Sequence, residues 1–517
     1  MIVVGGGHNG LVCAAYLARS GAKVLVLEQR PLVGGAAVTE EPWPGFRINT
    51  FSYAAGLLRP QIAEDLELRR FGYETILLEP DVYVPFPDGR SLTLWNDLEK
   101  TLTEIRRFSE ADARAYPKYL EYWDGVAELL EPFLLSPPVP LSDLMGLVPG
   151  AEMERLIRDL FLRSAGDVLD EWFESEQLKA SLSTSSIIGT FLGPRSPGTA
   201  YVLLHHKLGH INGTEHAWGI ARGGMGTISQ AIARAAESHG AIIRTSSRVR
   251  RIILENGRTS GVETEDGARY AARMIASGVD AQTTFLRLVP PDALDPTFAR
   301  QVRAIKSQGA ALKFNCALEA LPDFSADPGA PRAHHRGFVD IIPSIDYAER
   351  AYTEARGGRF SSAPFMDCIF QSAIDPSVAP PGNHTMTCFV QYAPSHLADG
   401  SWEDAKPAAA ETILEVLEGY APNIRRTILH SEIVSPEDIE RQLGMTGGNI
   451  FQGDITPDQL FSFRPVPGWS GYRTPVPGLY LCGSAAHPGG GVMGAPGHNA
   501  ARVILGDHRR RPTADES

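Results

Sequence analysis

Two glycine-rich loops stand at opposite ends of this 517-residue chain, and any fold has to account for both. The first, Val3-Val4-Gly5-Gly6-Gly7-His8-Asn9-Gly10, follows directly on a short β-branched opening. The second, Cys482-Gly483-Ser484-Ala485-Ala486-His487-Pro488-Gly489-Gly490-Gly491, lies close to the end. A nicotinamide-binding Rossmann domain needs only the first. A chain that returns its C-terminal loop to the same site can hold a longer cofactor, with the adenine half at one loop and the reactive ring at the other. FAD has that reach.

The opening reads as strand, tight turn and helix, because Leu11-Val12-Cys13-Ala14-Ala15-Tyr16-Leu17-Ala18 has helical apolar spacing. Gly5, Gly7 and Gly10 fill the three glycine positions of G-x-G-x-x-G. The first makes the turn, the second lets backbone N–H groups approach a pyrophosphate, and the third permits close helix–strand packing. The helix N-terminus adds a partial positive charge. Lys23-Val24-Leu25-Val26-Leu27 predicts a second parallel strand, and Glu28 ends it at the place where ribose hydroxyls are held. A carboxylate there disfavours a 2′-phosphate. Arg30 and the pair Gly34-Gly35, with Ala36 after them, form a second turn suited to a backbone passing close to a flavin.

A net charge of −13 argues against a nucleic-acid partner. The basic run Arg509-Arg510-Arg511 reads as a solvated end, with peripheral membrane or anion contact as the other reading. The five cysteines, Cys13, Cys316, Cys368, Cys388 and Cys482, form no C-x-x-C pair, which speaks against a disulfide framework, a zinc site or a redox dithiol. No window holds the roughly 18 continuous apolar residues of a membrane helix. The first strand begins at Met1, so no targeting segment is expected, and the expected compartment is the cytoplasm.

Further along, residues 98–192 turn helical around the break Ser136-Pro137-Pro138-Val139-Pro140, and read as a cap over a substrate cavity. Near Arg222-Gly223-Gly224-Met225-Gly226 the cofactor-domain pattern returns. A helix from Ile228 to His239 follows, then a strand over Ala241–Thr245. Next comes a hairpin whose turn is Glu255-Asn256-Gly257-Arg258. In a flavin domain the Val249 strand of that hairpin is where backbone meets the adenine. Residues 290–460 alternate strands and loops, for example Ala311–Leu318, and read as a substrate-side sheet with helices.

Several segments together resemble phytoene-desaturase-like FAD oxidoreductases. They are the opening through Gly34-Gly35-Ala36-Ala37-Val38-Thr39-Glu40-Glu41, Ser52-Tyr53 with Leu57-Leu58-Arg59-Pro60, Trp218 with Gly223-Gly224-Met225-Gly226, and Cys482 to Gly497. Within that superfamily the chain is most similar to the branch of pyridine nucleotide-disulphide oxidoreductase domain-containing proteins and desaturase-like carotene ketolases. The resemblance implies an α/β chain with a discontinuous Rossmann-type FAD-binding domain, a mixed-sheet substrate domain and a helical cap. The expected division assigns 1–80, 218–290 and 465–517 to the FAD domain. It gives 81–217 to the cap and part of the substrate domain, and 291–464 to the substrate domain.

Where flavoproteins often place an Asp after the C-terminal glycine, this chain has Ser484, which still offers one hydrogen bond. Gly483, Ser484, Gly491, Val492 and Met493 are the expected contacts at the flavin end. A helix beginning after Gly494 would stabilise negative charge on the reduced ring. His487 is the titratable side chain of this loop, as an acid or base or as a hydrogen-bond partner. Tyr53 faces the substrate or belongs to the core. Cys482 fits a small core residue better than a covalent flavin link. His206 and His210 have the spacing of one helix face, yet no H-E-x-x-H pattern accompanies them, so no metal is expected.

The leading expectation is hydride transfer from an activated C–H of a largely apolar small molecule to flavin N5, with oxygen or a quinone as the electron acceptor. An amine oxidase of the same fold ranks lower, because Gly483 to Asn499 contains no Tyr, Trp or Phe. A reduced-flavin isomerase is a further alternative. A non-catalytic carrier like the GDP-dissociation inhibitors would not need the two intact loops.

Overall fold

A computed structural model of the chain describes residues 1–144, 146 and 150–510; Arg511, the last of the basic run, lies outside them. Five short parallel strands form the central sheet, in the order Ile242–Arg244, Leu25–Leu27, Ile2–Val4, Ile275–Ser277 and Leu479–Leu481. Every residue of the Ile2, Ile275 and Leu479 strands is buried, as expected for a parallel sheet covered on both faces. The last strand comes from the C-terminal end and pairs with Ile275–Ser277. This pairing delivers the second glycine loop to the carboxyl edge of the sheet, beside the first. Ligands bind at that edge in open α/β sheets.

Helix His8–Arg19 follows the first loop and buries Leu11, Val12, Ala14, Ala15, Leu17 and Ala18. Helix Ala495–Arg509 packs directly along it: a Cβ on Gly497 would collide with the Asn9 carbonyl, so only glycine lets the two backbones meet. Helix Gly226–Ser238 adds Ile228, Ala231, Ile232, Ala233, Ala235 and Ala236 to the same core. The hairpin has the turn expected of Asn-Gly. Strands Val249–Glu255 and Arg258–Thr264 are antiparallel, and Asn256 and Gly257 are left-handed at φ 50° and 71°.

A second sheet has seven strands in the order Ile428–Val434, Ala311–Leu318, His384–Gln391, Phe365–Ile369, Phe338–Ile341, Val82–Pro85 and Ser91–Leu94. It is mixed, with only the Phe338 and Val82 strands parallel. One face, carrying Leu312, Phe314, Cys368 and Val390, packs on Trp402, Ile413 and Leu417 of helix Trp402–Tyr420. The opposite face looks into a cavity. Across that cavity stand the helices Glu110–Leu130 and Thr199–Lys207, which contribute Tyr116, Tyr119, Leu203 and His206 to its wall. One expected feature fails: His210 lies in the two-residue strand His210–Ile211, past the end of the His206 helix, so the two rings do not share a helix face.

Candidate active site

At the first loop Gly5 adopts φ 93° and turns the chain. A Cβ on Gly10 would strike the Gly5 carbonyl, which is the close helix–strand approach the motif requires. Gly7 is the N-cap of the helix, and no side chain caps it. The Gly34-Gly35 turn lies against this loop. The Gly34 N–H donates to the Gly6 carbonyl at 2.8 Å, and a Cβ on Gly35 would sit 3.1 Å from the Gly7 Cα. Glu28 accepts from the Gly6 N–H at 2.6 Å and the Arg30 N–H at 2.8 Å. Burial pushes its carboxyl above the ordinary range, and those two N–H groups oppose the shift.

The second loop is joined to the first by a hydrogen bond: the Asn9 side-chain amide donates to the Ser484 hydroxyl at 3.1 Å. Behind it lies Arg464, only 2 % exposed. Its guanidinium donates to the Ser484 carbonyl at 3.0 and 2.8 Å, and to the carbonyls of Phe451, Gly453, Asp454 and Gln459. Burial lowers its pKa to about 10, which still leaves it charged at neutral pH. A fixed cation thus holds together five carbonyls of otherwise irregular chain. The sequence reading missed it; the signal was an arginine set among aromatic and apolar residues at Phe461-Ser462-Phe463-Arg464.

One cavity of about 670 Å³ runs from these loops to the inner face of the seven-stranded sheet. Of the expected cofactor contacts, Gly5, Gly7, Gly10, Glu28, Arg30, Gly35, Ala36, Val249, Ser484, Gly491 and Val492 line it. Gly34, Gly483 and Met493 do not. Gly34 is filled behind by the Ala37 carbonyl, and Gly483 lies against the Gly278 carbonyl. Met493 is fully buried in the core of the cap, with its carbonyl accepting from the Arg59 N–H. Cys482 is likewise a fully buried core residue, beside Cys13.

The two candidate catalytic side chains part company. His487 is outside the cavity lining. Its Nε2 is engaged with the Phe133 carbonyl at 2.9 Å, and burial drives its pKa down to about 4. A ring committed in this way is a structural hydrogen-bond partner, so the acid–base expectation for His487 is corrected. Tyr53 lines the cavity, donates to Asp367 Oδ2 at 2.6 Å and stacks on Phe389.

Around Tyr53 the structure assembles groups that sequence reasoning did not single out. Strand register sets Lys313 opposite Phe389, Phe389 opposite Asp367, and Asp367 opposite Asp340. Directly opposed residues share a face, so Lys313–Phe389–Asp367–Asp340 forms one rung across the cavity side of the sheet. Lys313 Nζ lies 3.7 Å from the Tyr53 ring centroid and makes no hydrogen bond. Burial lowers its pKa to about 7, against the opposing pull of Cys388 and Asp367. Burial raises Asp367 and Asp340, and raises Asp81 to about 7. Trp218, Phe338 and Phe389 also line the cavity. The lack of aromatic residues in 483–499, which ranked an amine oxidase lower, therefore does not describe this wall.

A parallel Rossmann sheet with a cavity leading to a second, mixed sheet is the architecture of the FAD-dependent oxidoreductases, and this chain is an oxidoreductase of that class. Residues 3–71 match the family model of the NAD(P)-binding Rossmann-like domain. Pyridine nucleotide-disulfide oxidoreductase domain-containing protein 2 of Rattus norvegicus is 40% identical, over 98% of this chain and 93% of that one. The chain belongs to that family, within the phytoene-desaturase-like oxidoreductases. The neurosporene-forming phytoene desaturase of Cereibacter sphaeroides is 27% identical over 96% of this chain and 92% of that one. The lycopene-forming phytoene desaturase of Pseudescherichia vulneris is 24% identical over 98% of each chain. Among solved structures, cyclohexylamine oxidase from Brevibacterium oxydans shares the fold, with a TM-score of 0.58 at 18% identity over 98% of this chain and 99% of that one.

Proposed function

We propose that this protein binds FAD between its two glycine loops and removes a hydride from an activated C–H of a largely apolar small molecule, with oxygen or a quinone as final acceptor. The observation that carries the reading is the single cavity shared by both loops and the substrate-side sheet. The residues present suit FAD. An uncapped helix N-terminus at Gly7 favours an anion. Glu28 lines the same cavity and would take the ribose hydroxyls, and the Gly7–Gly35 contact makes a cradle that a larger residue at either position would fill. His8 Nε2, Asn9 Oδ1 and Arg30 Nη1 are buried without partners, and all three residues line the cavity.

When bound, FAD supplies the hydride acceptor. The protein's own residues bind, orient and exclude water. Arg464 and Asn9 fix the Ser484 loop. Leu57, Ile188, Ile450 and the aromatic rings give the cavity apolar walls. Asp367 and Lys313 are the groups available to take up a proton beside the substrate, with the Tyr53 hydroxyl donating to Asp367. Anaerobic addition of candidate substrates to the purified protein tests the proposal. Bleaching of the flavin bands by an apolar compound with an activated C–H supports it; reduction by NADH or NADPH alone, with none by such compounds, contradicts it.

A further inference from the structure

The substrate end of the cavity carries more ionisable groups than an apolar substrate requires. Phytoene, named in two of the relatives, is a hydrocarbon with no ionisable group. Here Asp340 is 2 % exposed and Asp367 7 % exposed, and both line the cavity with Asp81. One carboxylate oxygen on each of the three, the Oδ1 atom, is buried without a hydrogen-bond partner. Buried carboxylates are ordinarily paired.

Few cations face these acids. Lys313 serves Asp367 and rests on the ring faces of Tyr53 and Phe389, 3.7 and 5.7 Å from their centroids. Lys207, the cation acting on Asp81, is committed to Asp124 at 2.7 Å. Thr184 gives Asp340 one hydrogen bond. The remaining titratable groups that act on the cluster, Glu79, Tyr116, Cys368 and Cys388, add no positive charge. Three buried acids therefore have one lysine among them, and burial raises the pKa of all three. Among the described residues no group of three or more His, Cys, Asp or Glu side chains is placed to hold a metal ion, so the acids are spread along a wall rather than converged on a point. Lys313 itself shows what this wall accepts: an unpartnered, buried ammonium seated on aromatic faces beside a carboxylate.

We propose that Asp81, Asp340 and Asp367 seat an organic cation, an ammonium group at one end of an otherwise apolar substrate. This deepens the reading of the same cavity as a substrate site and rests on it. The cation faces Asp340 and Asp81, with Trp218 and Phe338 beside it, and the apolar remainder extends toward the glycine loops. Because the acids are held partly protonated by burial, seating a cation releases protons, and binding tightens as pH rises from 5.5 to 8. Lys313, which loses its own charge over the same interval, shifts binding in the same direction.

The test is calorimetric titration of the purified protein, with its flavin content measured in the same preparation, using n-hexylamine, 1-hexanol and hexanoate. Saturable amine binding about tenfold or more tighter than the alcohol, lost in Asp340→Asn, is the expected result. Should that variant fail to fold, the pH dependence of the unmodified protein carries the same information, since tightening with rising pH is expected. Equal or tighter binding of the alcohol or hexanoate, no saturable amine binding, or weakening with rising pH would each overturn the proposal. Missing FAD in a preparation that still prefers the amine would instead count against the flavin reading alone.

Discussion

The two ends of the cavity are built in opposite ways. At the cofactor end the working surface is mostly backbone: glycines whose missing Cβ atoms make room, an uncapped helix terminus, and one acid at a strand end. At the substrate end it is side chains, projected from Lys313, Asp340, Asp367 and Phe389 on four neighbouring strands and from Tyr53 and Asp81 on distant segments. A backbone site is specified by short local motifs. A side-chain site exists only once strand register has brought its members together.

That contrast predicts how each end breaks. The largest effect is expected for Gly10→Val, which drives a side chain into the Gly5 carbonyl; the protein should lose both flavin and cooperative thermal unfolding. Arg464→Leu comes next. It strips the hydrogen bonds from five buried carbonyls at a cost of roughly 1–3 kcal/mol for each group left unsatisfied, and should lower the melting temperature steeply and release flavin. Gly7→Ala sharpens the comparison, because its Cβ meets nothing nearer than the Gly35 Cα at 3.9 Å. The fold should persist, with near wild-type melting of the flavin-free protein, while flavin retention is lost.

The substrate end should respond to pH rather than collapse. Burial raises Asp81 from 3.8 to about 7, so between those values the folded state holds a proton that the unfolded state has released. Stability therefore falls as pH rises through that window, and Asp81→Asn should flatten the fall. Lys313 is lowered from 10.5 to about 7, so the unfolded state binds the extra proton between those values and stability rises with pH there. Lys313→Met should remove that rise. Denaturant unfolding at a series of pH values reads both slopes, and slopes unchanged in the variants would contradict the buried titrations.

His487→Gln should have the smallest effect on turnover. Loss of a general acid or base costs about 100-fold or more, whereas a ring already bound to the Phe133 carbonyl has no such role to lose. A fall in kcat of that size without loss of flavin would reinstate His487.

The same contrast explains what could be read from the sequence. Strand, turn and helix at Met1–Ala18, the acid at Glu28, and the Asn256-Gly257 hairpin rest on interactions within a few residues, and the structure contains each of them. The return of the C-terminal loop was also legible, because a glycine run of that kind has no use in isolation. Met493 was misplaced because proximity to Gly491 does not say which way a side chain points. Lys313, Asp340 and Asp367 each interrupt an apolar strand, Ala-Leu-Lys-Phe, Phe-Val-Asp-Ile and Phe-Met-Asp-Cys. One charge in one buried strand is a weak signal, and its meaning appears only when three such strands align. Arg464 escaped notice for the same reason, since its partners are carbonyls spread over some 30 residues from 451 to 484.

The central claim is that both glycine loops hold one FAD. An absorption spectrum of the purified protein, followed by acid release and identification of any chromophore, tests it most directly. Oxidised-flavin bands and release of FAD at one per chain are the predicted result. A colourless protein that also fails to take up added FAD would contradict it.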